Sequence, residues 1–134
     1  MQEIRKFPPA KKTLLLILLP MLATFVCLRL YLHLVRVQHL YPGGLLVHHL
    51  FFGVLLVLPV AFLLAFGTRG RLAASLAPAF LGIGSALILD EVTYLVATRG
   101  TDQDYVSRVS FFGAIVFISL AVLLLLALYR TRRD

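Results

Sequence analysis

Four long apolar stretches, at about 13–35, 45–66, 72–97 and 109–129, govern what this chain can fold into. A bilayer core is about 30 Å thick, so a helix needs about 20 apolar residues to cross it. Each stretch meets that length. No water reaches the hydrocarbon to satisfy backbone N–H and C=O groups, so a spanning segment must satisfy its own, as a helix does. None of the four shows the strict alternation of a membrane-barrel strand. The expected fold is therefore an all-α membrane protein, a single four-helix transmembrane bundle over residues 1–134 with no internal repeat. The connections at 36–44, 67–71 and 98–108 are short, so successive helices should be antiparallel neighbours.

Composition supports the same conclusion. Hydrophobic residues make up 60% of the chain and charged residues 14%, against roughly 45–50% and about 25% in soluble domains. A soluble globule this small could not hide so much apolar surface. A disordered regulator, a collagen-like chain and a disulfide-stapled secreted module are all excluded. With Cys27 as the single cysteine, an intrachain disulfide and a cysteine-based zinc knuckle are excluded too. The basic stretch 1–12 ahead of the first apolar run imitates a secretory signal. No small-x-small pair stands at a convincing cleavage position, and Thr24-Phe25-Val26 is a poor lipoprotein site, so the first run is read as a retained helix. Pro20, Pro59 and Pro78 fall inside helices, where neighbouring helices can tolerate the kink.

Charge sets the expected orientation. Nine of the 13 Lys and Arg flank one side of the threaded chain, among them Lys11, Lys12, Arg69 and Arg130; only Arg36, Arg99 and Arg108 flank the other. Positive charge in short loops is retained in the cytoplasm, so both termini are expected there. The whole net charge of +7 belongs to that side. The basic character is therefore a topology signal, with attraction to anionic lipid headgroups at the cytoplasmic face, and not a nucleic-acid footprint.

The same threading gathers polar residues toward the outer face. Arg29 and His33 end the first helix, with Arg36 following. His48 and His49 open the second, and Asp90, Glu91 and Tyr94 lie toward the end of the third. Asp90 falls about 10 Å inside the third helix at 1.5 Å per residue, where an ionised carboxylate needs a partner or water. Arg29, His33 and Arg36 form one stripe. Asp90 shares a face with Tyr94 and, in the other direction, with Ala86, Gly82 and Ala79, small residues that permit close helix approach. His49 and Gly53 share a face of the second helix. Asp102 and Asp104 read as solvated loop charges.

Three readings of the cluster follow. In the first, Arg29 and Arg36 neutralise Asp90 and Glu91, and the histidines hydrogen-bond around them. In the second, His48, His49, Asp90 and Glu91 bind a divalent metal such as zinc, iron or manganese and serve a metal-dependent membrane enzyme. Against this, adjacent histidines project about 100° apart on a helix, no HExxH pair is present, and the arginines repel a cation. In the third, the cluster is a polar ligand pocket, or part of a small transporter or proton pathway. An accessory or ligand-binding membrane protein is the favoured function, and no residue is assigned a catalytic role. The apolar fourth helix, 109–129, should cover the bundle or mediate contact with a second copy or a larger membrane complex.

Two segments carry a resemblance: His48-His49-Leu50-Phe51-Phe52-Gly53, and Gly82-Ile83-Gly84-Ser85-Ala86-Leu87-Ile88-Leu89-Asp90-Glu91. The pair resembles a group of small prokaryotic integral membrane proteins of unassigned function with an HHxxxG segment and a GxGxxLxxDE segment in successive helices. Thr93-Tyr94 departs from the bulkier apolar pair expected there. The resemblance implies a prokaryotic cell membrane and no particular activity, and it singles out His48, His49, Asp90 and Glu91 as one group.

Overall fold

The computed structural model describes residues 9–35, 47–66 and 70–132. Five helices follow in order: α1 (Ala10–Leu34), α2 (His49–Phe66), α3 (Arg71–Ala97), α4 (Asp102–Tyr105) and α5 (Arg108–Thr131). There is no strand among the described residues. Four of the helices are long and apolar enough to cross a membrane, and the chain is an integral membrane protein with a helical transmembrane bundle. Pro20, Pro59 and Pro78 lie within α1, α2 and α3.

The helix ends follow local chemistry. α1 starts three residues before the expected position, directly after Pro9, and stops where Val35 turns extended. The expected start of α2 at 45 lies outside the described residues; the described helix opens at His49. α4 is an addition to the expected architecture. It is a single turn started by a capping box, in which the Thr101 hydroxyl accepts from the Asp104 N–H and the Asp104 carboxylate accepts from the Thr101 N–H. Hydrogen bonding to Thr101 holds the Asp104 carboxyl below its ordinary value, so Asp104 is a capping residue and not a free loop charge. Ser107 then caps α5 by accepting from the Ser110 N–H at 3.3 Å. Gly100, with φ of +79°, lies between α3 and α4 in the left-handed region that glycine enters without steric penalty.

The helices assemble around α3. It packs on α1, α2 and α5, while α1 and α5 touch each other far less. Lipid tails are as apolar as leucine, so burial alone does not draw such helices together; close packing and hydrogen bonds do. Glycines provide the closeness. A Cβ on Gly53 of α2 would lie 2.6 Å from the Gly84 carbonyl oxygen of α3, and one on Gly84 would lie 2.8 Å from the Gly53 carbonyl. A Cβ on Gly82 would collide with the backbone carbonyl of Ile17 in α1. Met21, Ala86 and Ile118, from α1, α3 and α5, make the small apolar core. Large side chains such as Leu19, Leu55 and Leu123 stay on the outside, as a lipid environment allows.

At the α3–α5 contact, the Thr93 side chain packs where Gly113 leaves room. The Thr93 hydroxyl oxygen is buried and has no hydrogen-bond partner among the described residues. Thr93→Val keeps the shape and removes that polar atom. Thermal unfolding in detergent should show the variant equal to the parent or more stable by up to about 1 kcal/mol. A clear loss would mean that the hydroxyl is satisfied.

Candidate functional site

Three of the long helices bring ionisable groups to one end of the bundle. α1 contributes Arg29, five residues before its end. The first turn of α2 places His49 beside the acids, with His48 directly preceding it. α3 contributes the adjacent Asp90 and Glu91, seven and six residues before its end. Adjacent helical side chains diverge by about 100°, and here Asp90 faces α1 while Glu91 faces α2.

Asp90 (0% exposed) takes Arg29 Nε on Oδ1 at 2.5 Å. Its Oδ2 accepts from the Tyr105 hydroxyl and lies 3.2 Å from His49 Nε2. Glu91 (1% exposed) takes His48 Nδ1 on Oε1, and its Oε2 accepts the Leu50 N–H at 2.8 Å and lies 3.3 Å from His49 Nδ1.

Arg29 reaches furthest. Beyond Asp90 Oδ1, it donates to the Asp90 carbonyl at 3.1 Å, the Tyr105 carbonyl at 3.1 Å, and the Ser110 carbonyl and hydroxyl at 3.3 and 3.2 Å. Its guanidinium also stacks 4.8 Å from the centre of the Tyr105 ring. One side chain thus joins α1 to α3, α4 and α5, using the planar fork of donors that lysine lacks.

Tyr105 and Ser110 belong to the network without having stood out in the sequence. α4 folds the 98–108 connection back so that Tyr105 is buried against Asp90, His49 and Tyr94. Burial, then the neighbouring Asp90 charge, pushes the Tyr105 phenol up, which keeps it a proton donor. The Thr101-x-x-Asp104 spacing is the one signal that could have suggested this turn.

The expected site residues separate into groups. Arg29, His48, His49, Asp90 and Glu91 come together. Tyr94 is buried beside them, but its hydroxyl donates to the Gly100 carbonyl at 2.6 Å and holds the turn; its ring packs on those of His48 and Tyr105. His33 is exposed and lines a cavity between α1 and α5. Arg36 lies outside the described residues. The two motifs meet face to face: His48 and His49 on Glu91 and Asp90, and Gly53 on Gly84.

A metal at His48, His49, Asp90 and Glu91 is not supported. Among the described residues, no three His, Cys, Asp or Glu side chains are placed to hold an ion. The physical reason is that every carboxylate oxygen already faces a donor from the chain, and the nearest cation, Arg29, is bonded to one of them.

No family model, no curated protein and no solved structure matches this chain.

Proposed function

We propose that the chain is an accessory or ligand-binding membrane protein with both termini in the cytoplasm. In this reading the Arg29–Asp90–Glu91–histidine network fixes the helices at the outer end of the bundle, and binding takes place beside it. The observation that carries the reading is the complete internal pairing of both carboxylates. A hydrolytic or oxygen-activating centre needs an open coordination position or an available base, and here those atoms are engaged. The orientation rests on the concentration of Lys and Arg on one side of the bundle.

Elemental analysis of detergent-purified protein, before and after mild chelation, tests this. The expected result is metal well below one equivalent, with no change in thermal stability on chelation. A stoichiometric metal that survives purification, and whose removal destabilises the protein, would overturn the reading in favour of a metal-dependent membrane enzyme.

A further inference from the structure

Between α1 and α5, at the end that holds the charged network, lies a cavity of about 530 Å³, within the roughly 300–1,000 Å³ of ligand pockets. It exists because these two helices pack on α3 and little on each other. Phe25, Val26, Leu30 and Leu32 of α1 and Phe111 of α5 make an apolar wall. The polar lining, apart from the Tyr105 phenol, is Arg29, Arg108 and the His33 imidazole, and no carboxylate is among the described lining residues. Asp90 lies behind the Arg29 guanidinium and is fully buried. His33 and Arg108 are exposed and make no ion pair or hydrogen bond among the described residues.

Depth orders these groups. His33 is the last residue but one of α1 and Arg108 the first of α5, so both stand where the spans end. Phe25 lies nine residues before the end of α1, about 13 Å deeper along the helix. A mouth carrying the Arg108 guanidinium and the His33 imidazole at headgroup level therefore leads to an apolar wall at acyl-chain level.

The geometry points to a site for an anionic phospholipid of the surrounding membrane, its phosphate at His33 and Arg108 and one acyl chain along Phe25, Val26, Leu30 and Phe111. The inference deepens the ligand-binding reading above and rests on it. A free phosphate would leave the apolar wall uncovered. A zwitterionic lipid would bring an ammonium group to a lining without a carboxylate.

The chain has no tryptophan, so Leu30→Trp, on the cavity wall, is a single reporter, with Val106→Trp as a second one in case the first does not fold. The protein is reconstituted in phosphatidylcholine bilayers containing brominated phosphatidylglycerol or brominated phosphatidylcholine, and fluorescence quenching gives their relative affinity. Phosphatidylglycerol should be favoured about fivefold for each engaged cation. Arg108→Gln should reduce the preference by about that factor, and Arg108→Lys should keep most of it. Equal quenching by the two lipids, or a preference undiminished in Arg108→Gln and His33→Gln together, overturns the proposal. So does release of the quenching by inorganic phosphate, which would mark a soluble-anion site. Stoichiometric metal in the elemental analysis would defeat the earlier reading without changing the lipid preference, so the two failures are distinguishable.

Discussion

Asp90→Asn should destabilise the protein by about 3–5 kcal/mol, because it leaves the Arg29 guanidinium enclosed without its counter-charge. Asparagine has the same shape but one acceptor oxygen where Asp90 uses two, so the loss combines the missing charge with one missing hydrogen bond, to Arg29 or to Tyr105. Arg29→Met should be at least as damaging. It uncovers the buried Asp90 carboxylate and removes the donors that reach the Asp90, Tyr105 and Ser110 carbonyls. The informative measurement is the double variant. Replacing both members of a buried ion pair by groups of similar size is often close to neutral, so Arg29→Met with Asp90→Asn should recover part of the loss, with a coupling of about 1–3 kcal/mol. Unfolding in mixed micelles, followed by circular dichroism, gives all four corners of the cycle. Strict additivity would show that the pair does not hold the helices together.

Gly82→Ala is the second large effect, and its sign is unusual. In an exposed helix interior, glycine to alanine stabilises by roughly 0.5–1 kcal/mol. Here the new methyl group meets the backbone carbonyl of Ile17, which no rotamer change can move aside. α1 and α3 must separate, and a loss of about 1–3 kcal/mol is expected. Gly53→Ala and Gly84→Ala should behave alike at the α2–α3 crossing, where each glycine faces the other's carbonyl. The same unfolding assay decides the matter: any of these variants more stable than the parent would refute the close backbone approach.

Much of this architecture was legible in the sequence because its signals are large. Twenty apolar residues leave little choice of element, and α3 and α5 begin within one residue of their expected starts. The meeting of Arg29, His48, His49, Asp90 and Glu91 follows from chain reversal alone, since antiparallel threading sets depth. Rotation is harder. Arg29 and His33 are one turn apart, yet Arg29 turns into the bundle and His33 stays exposed at the cavity. Only the longer side chain, starting deeper, reaches Asp90. Tyr94 shares the Asp90 face but takes the Gly100 carbonyl, because the turn after α3 lies over it. Tyr105 and Ser110 were hidden for a different reason. Tyr105 reaches the network through a four-residue helix whose only mark is the Thr101–Asp104 cap, in a polar connection that looks like solvated loop, and Ser110 reaches it from the first turn of α5, where one serine in an apolar run carries no signal.

The reach of Arg29 also bears on how the chain assembles. Its counter-charge lies 61 residues later and its furthest hydrogen-bond partner 81 residues later. Synthesis runs from the N-terminus, so α1 is made well before either exists. In the interval the guanidinium must draw on water and headgroups, about 8 Å away along the helix and within the span of its flexible stem. The junction closes only after the start of α5 has been made, so the full set of Arg29 contacts forms late in the assembly of the bundle.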